Sequence, residues 1–235
     1  MSMLTMIQSV CVRLGLPSPN AVATSSDNQY LQLLALLNEE GAELSNRTQW
    51  QALQKEASFV TVAAEIQGAI NTICPGLDYV VNDTIWNRTI RRPVFGPLGA
   101  QYWQQQKAMF TAGPWNQYRI VGDQLKFFPA PAAGQDCYFE YSSKAFATDS
   151  TGVIPKTAFT ADSDLCVHSE DIMTLGLIWR WKANKGLEFG TDYQKYEQRV
   201  INAMGRDAAK PILNMGEARY DIMPVVVVPS GSWAV

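Results

Sequence analysis

The sequence predicts an α+β fold: an antiparallel helical bundle of N-terminal helices and a C-terminal helix hairpin, with an inserted antiparallel β-rich lobe and an extended C-terminal tail. Three observations lead there. Helical spacing of apolar residues governs the first fifty or so positions and returns at Ser169, while alternating and β-branched runs fill the middle. Pro211, Gly216, Pro224 and Pro229 break every helical pattern after Lys210. A chain of 235 residues with 47% hydrophobic and 17% charged content also buries enough surface for a core without disulfides or metal. The implied division is 1–54 and 167–209 for the bundle, 55–166 for the lobe with a long loop at 142–166, and 210–235 for the tail.

The first helix is expected over Ser2–Leu14, with Leu4, Ile7, Cys11 and Leu14 on one face and Gly15 and Pro17 stopping it. Ser26-Asp-Asn-Gln29 reads as a capping box for the second helix, whose stripe is Tyr30, Leu34, Leu37, Gly41 and Leu44. A break is expected near Ser45-Asn46, before Trp50 and Leu53. Ser58–Val62 and Asp83–Trp86 then read as strands, and a short polar-aromatic helix carries Tyr102 and Trp103. Tyr118–Val121, a turn at Gly122-Asp123, Leu125–Phe128 and Cys137–Tyr141 form an expected meander, with Tyr138 and Glu140 alternating against Cys137, Phe139 and Tyr141.

Ser142–Cys166 has no sustained period. The third helix is expected from near Ser169 to before Gly186, with Glu170 and Asp171 at its start and Lys182 and Lys185 near its end, matching the helix dipole. Thr191-Asp-Tyr-Gln194 reads as the cap of the fourth helix, with Tyr193, Tyr196, Val200 and Ala203 inward. The short connection between these two helices implies a hairpin.

A net charge of −3 removes the general basis for nucleic-acid binding, which needs a cationic surface. The sequence predicts no secretory signal and no membrane span, so Cys11, Cys74, Cys137 and Cys166 read as buried thiols in a reducing compartment. No enzyme is expected. The single histidine, His168, and Cys166 two residues before it make a weak nucleophile–base pattern. No paired-cysteine zinc spacing and no phosphate-cradling glycine loop occurs. Asp162-Ser-Asp164 superficially suggests a calcium loop but lacks its glycine and terminal glutamate. Catalytic, cofactor and metal sites are therefore all expected to be absent.

What remains is contact chemistry. Asn82–Gln106 passes through Arg88, Arg91 and Arg92 and two proline stops; arginine forks suit carboxylates at protein interfaces. The bland alternative is a solvated or internally paired loop. Trp103, Trp115 and Tyr118 read as lobe packing. In the tail, Val225, Val226, Val227 and Val228 with Trp233 are ill suited to a free terminus and suit addition to a sheet edge.

Asn82-Asp-Thr-Ile-Trp-Asn-Arg-Thr89 followed by Arg91-Arg-Pro-Val-Phe-Gly-Pro-Leu98 resembles the head-to-tail adaptor proteins of short-tailed phages, the tail tubular protein A type. Leu125-Lys-Phe-Phe-Pro-Ala-Pro-Ala-Ala-Gly134 with Phe139-Glu-Tyr141, and Leu175–Leu187 with Tyr193 and Tyr196, are similar to the same pattern. The likeness covers roughly Met1 to Asp207 and departs at His168-Ser-Glu-Asp171, where the family enters its helix with Pro-Glu-Glu or Pro-Glu-Asp; the helix start is therefore left open. The resemblance implies a gatekeeper-like connector in the neck of the virion, assembled in the host cytoplasm as a ring, typically of twelve copies. Its implied partners are the portal protein, the tail nozzle or tube protein and other copies of itself, with tail fibres a further candidate. DNA would pass through the channel during ejection without specific binding, and no cofactor or membrane is implied. The alternative is a tail-associated glycan-binding module or small hydrolase using the 142–166 loop.

Overall fold

The computed structural model describes residues 2–108, 113 and 115–207. The tail at 210–235, including Val225, Val226, Val227, Val228 and Trp233, lies outside the described residues.

The fold is mixed α+β with antiparallel sheets, and its described residues hold six α-helices. Helix α1 (Met3–Leu14) is capped by the Ser2 hydroxyl, which accepts from the Thr5 amide, and ends on left-handed Gly15 at φ 70°. Its fully buried face is Met3, Met6, Ile7, Val10 and Cys11. Leu4 and Leu14, expected on that face, sit at its border because the helix packs against neighbours on the Met3–Val10 side.

Helix α2 (Asn28–Arg47) is capped by Asp27 rather than Ser26: the Asp27 carboxylate accepts from the Gln29 amide at 2.8 Å. The expected break at Ser45-Asn46 does not occur. Both side chains bond back to carbonyls one turn earlier, Ser45 to Gly41 at 2.7 Å and Asn46 to Ala42 at 3.0 Å, which lets polar residues stay inside the helix. Trp50 is then buried with its indole N–H on the Leu44 carbonyl, ahead of a 3-10 turn at Gln51–Leu53.

Strands β1 (Gln54–Val60), β2 (Ile66–Ala69) and β3 (Leu77–Val80), with the short helix α3 (Ile70–Ile73), begin the β region. They are followed by β4 (Trp86–Asn87), β5 (Arg92–Pro93), α4 (Ala100–Ala108), β6 (Gln117–Val121), β7 (Gln124–Phe128) and β8 (Asp136–Ser143). The expected strand at Asp83–Trp86 shrinks to β4, because Asp83 turns the chain with φ 62°. The expected three-strand meander is divided. β6 and β7 pair as a hairpin and join β2 in one sheet, whereas β8 lies in another, with β1 along one edge and β3 and β4 along the other. Residues from both sheets build one core, including Tyr118, Leu125 and Phe127 from one and Cys137, Phe139 and Tyr141 from the other.

The stretch after β8 is not featureless. Strands β9 (Ala147–Thr148), β10 (Pro155–Lys156) and β11 (Leu165–Cys166) form a small sheet, while Phe146 and Phe159 enter the core of the helices. This stretch also supplies helix ends. The Met3 and Leu4 amides donate to the carbonyls of Asp164 and Asp162. The Asp162 carboxylate accepts from the Val22 and Ala23 amides, and buried Asp164 accepts from Thr160, Ala161 and Lys156. The aspartates that resembled a calcium loop are thus satisfied by backbone amides and a lysine.

Helices α5 (Glu170–Asn184) and α6 (Gly190–Asp207) complete the helical core with α1 and α2. α5 starts after Ser169, which settles the start that the sequence left open. α6 begins at Gly190, before the expected Thr191 cap, with its first amide held by Glu188. Of its expected inner stripe, Tyr196 and Val200 are fully buried, while Tyr193 is 39% exposed and meets Trp179 edge-on at 5.2 Å. No helix among the described residues is long and apolar enough to cross a membrane.

Candidate interaction surface

The conspicuous surface is the outer face of the β8 sheet and its β4–β5 hairpin. Period-2 alternation sends Cys137, Phe139 and Tyr141 into the core and leaves Tyr138 and Glu140 facing out. In the adjoining register Tyr138 lies between Ser58 of β1 and Trp86 of β4, and Trp86 in turn pairs with Pro93. Thr84 fixes the entry to β4: its hydroxyl donates to the Val81 carbonyl at 2.7 Å and accepts the Glu140 amide at 3.2 Å. Ile85 is then buried and Trp86 is 40% exposed on the outer face.

Asn87 is buried and shapes the hairpin turn. Its amide donates to the Gln135 side chain at 2.7 Å, and its side-chain oxygen accepts the Ile90 amide at 3.1 Å. After the turn, Val94 returns to the core, and Phe95 bridges in parallel to Gln117, joining the hairpin to the second sheet. Gly96 is required at this crossing. A Cβ there would lie 2.6 Å from the Tyr118 carbonyl, and the backbone φ is 152°.

The three arginines expected to present contacts do not form one cationic patch. Arg88 is ion-paired with Glu56 and its guanidinium lies 3.6 Å from the centre of the Tyr138 ring. Arg91 is exposed at the turn, in the left-handed region with φ 55°, and has no ion pair among the described residues. Arg92 is exposed and approaches the Trp115 ring at 5.4 Å. Trp115, read from sequence as packing, is instead 44% exposed and meets Phe95 edge-on at 5.8 Å; Trp103 and Tyr118 are buried as expected. Tyr138 and Phe95 also lie on this surface. The alternation through Cys137–Tyr141 marked Tyr138 as outward, whereas nothing local marked Phe95.

The face combines aromatic rings with a paired cation. It carries Trp, Tyr and Arg side chains whose ring faces and guanidinium groups are held in place by pairing within the sheet. Glu56 neutralises Arg88, and Glu140 adds a carboxylate to the same groove.

Another concavity lies beside His168, lined by Trp50, Asp171, Arg199, Arg206 and Asp207 among others. His168 is 6% exposed, and burial pulls its pKa down to about 4, so the ring is neutral near pH 7. Its Nε2 is 2.9 Å from the Ser45 hydroxyl. That hydroxyl has one proton and donates it to the Gly41 carbonyl, so His168 is the donor of the pair. Ser45 is thus not set up to lose its proton to the imidazole. Burial also pushes the Cys166 thiol, which is only half-buried as a residue, up to about 11 and so keeps it protonated. No group of three or more His, Cys, Asp or Glu side chains among the described residues is arranged to hold a metal ion.

Comparison with known proteins finds no matching protein-family model and no matching curated protein.

Proposed function

We propose that this chain is a non-enzymatic virion structural protein, a ring-forming adaptor that joins the portal to the tail nozzle and encloses the DNA channel. In this reading α1, α2, α5 and α6 form an antiparallel bundle toward the channel and the β region faces outward. The ring has twelve copies and sits in the neck of the virion, where it contacts portal protein, nozzle protein and its own neighbours.

The observation that carries the reading is the outer face of the β8 sheet, which no other described element covers. There Trp86 is 40% exposed beside Tyr138, and the Arg88 guanidinium is fixed by both Tyr138 and Glu56. Such groups lose little conformational freedom on docking, which favours a lasting contact. The helix–strand–helix order agrees with the resemblance in Asn82–Leu98, Leu125–Tyr141 and Leu175–Tyr196. A net charge of −3 suits a conduit that does not grip DNA.

The test is mass photometry and negative-stain imaging of the purified full chain with and without portal protein. Closed rings, free or on the portal, are the expected result. A chain that stays monomeric in the presence of portal removes the proposal.

A further inference from the structure

Strand β1 is an edge strand, and its free side can be assigned residue by residue. The Thr61 amide donates to the Gln135 carbonyl at 2.8 Å, so this register pair is hydrogen-bonded. Bonded pairs alternate in an antiparallel ladder, which makes Phe59↔Cys137, Ala57↔Phe139 and Lys55↔Tyr141 bonded pairs as well. The other side of β8 checks the parity: the carbonyls of Asp136 and Glu140 accept from the Arg88 and Val81 amides at 2.8 and 3.0 Å. Glu56, Ser58 and Val60 therefore direct their amides and carbonyls away from β8. Among the described residues, no hydrogen bond reaches those groups.

An open edge of this length is a pairing template. Its flanks select an apolar occupant. Val60 is 58% exposed on the outer face, while half-buried Phe59 lies on the inner face at the rim of the core, edge-on to Phe127 and Phe139. An added strand would place alternate side chains beside each.

The chain contains one run of that kind outside the described residues: Val225–Val228 between Pro224 and Pro229, which limit pairing to a short stretch. The described chain ends close to β1, because the Asp207 carboxylate accepts the Gln51 amide at 2.8 Å, just ahead of Gln54. Positions 208–224 then span about 55 Å when extended. A compact subunit of this length is about 45 Å across, so 208–224 is long enough to carry the run to a neighbouring copy.

We propose that the edge of β1 receives Val225–Val228 from a neighbouring copy, so that each subunit donates a strand to the next. This inference rests on the ring reading above.

The test forms rings on the portal from an equal mixture of isotopically light and heavy full-length protein, each carrying a photoactivated benzophenone in place of Ser58. Crosslinks from position 58 to 225–228 that join light and heavy peptides are expected. Rings whose crosslinks go elsewhere, or only join peptides of the same isotope, overturn the strand exchange and leave the adaptor reading standing. Absence of rings for the unmodified protein removes both. Ser58→Pro supplies a second readout, since it deletes an outward amide without touching the ladder to β8. It is expected to lower ring yield about tenfold, the effect of losing one to two hydrogen bonds, while the subunit unfolds at an unchanged temperature. Val226→Pro is expected to do the same from the donor side, and unchanged ring yield in both variants overturns the proposal.

Discussion

Oε2 of Glu40 lies 2.7 Å from Nε of Arg180, and the two side chains are 0% and 6% exposed. This water-excluded pair joins α2 to α5. The same guanidinium also reaches Glu39 at 2.7 Å and Glu43, whose carboxylates are partly in solvent. Burial raises the Glu40 pKa despite the arginine, whereas Glu43, less buried and held by Arg180 and Arg47, stays below the usual range.

Removing the cation is expected to hurt more than removing the buried anion. Arg180→Met strands Glu40 without a counter-charge and should cost about 3–5 kcal/mol. Glu40→Leu leaves Arg180 with Glu39 and Glu43 and should cost less. Urea unfolding of both variants checks the order, and the Arg180→Met deficit should narrow on acidification as Glu40 takes up a proton.

Gly176 makes the pair possible. A Cβ at that position would overlap the Glu40 carboxylate, and one at Gly41 would overlap the Phe146 ring. Alanine gains about 1 kcal/mol of helix propensity over glycine. Overpacking should outweigh it, so Gly176→Ala and Gly41→Ala are each expected to lower stability by about 1–3 kcal/mol. Thermal melts that rise instead would contradict the packing described above.

His168 gives the molecule an acid-side dependence. Its folded pKa of about 4 lies below the unfolded value of about 6.5, so its contribution is fully present above pH 6.5. It is lost as pH falls toward 4, and amounts to about 3 kcal/mol. In His168→Gln the loss of stability between those pH values should shrink by that amount, as read from urea midpoints at a series of pH values.

The proposed contact face should separate binding from folding. Glu56 and Arg88 are 54% and 55% exposed, so Arg88→Ala is expected to cost at most about 1 kcal/mol of stability. Trp86→Ala should leave the melting temperature nearly unchanged yet weaken attachment to the portal or a neighbouring copy by about 2 kcal/mol, the scale of an interface anchor. Attachment equal to that of the unsubstituted chain would move the contact to another face.

Periodicity made the helices and the parity of β8 legible. Local spacing sufficed to place α1, α5 and α6 to within a residue or two and to send Tyr138 outward. Caps were harder to read, because Ser26 and Thr191 have the right chemistry but Asp27 and Glu188 reach the free amides first. The exposure of Phe95 and Trp115 was not legible, since it depends on where the hairpin crosses to β6.

By itself the sequence determined the class of fold, the approximate spans of α1, α5 and α6, and the inward and outward sides of β8. All of these follow from spacings of a few residues. Tertiary structure alone decided that β7 and β8 part into different sheets. It also decided that Phe146 and Phe159 serve the helical core, that His168 donates to Ser45, and that β1 has one side unpaired among the described residues. Each of these is a contact between residues far apart in the chain, fixed by which surfaces exclude water together, and no local pattern encodes it.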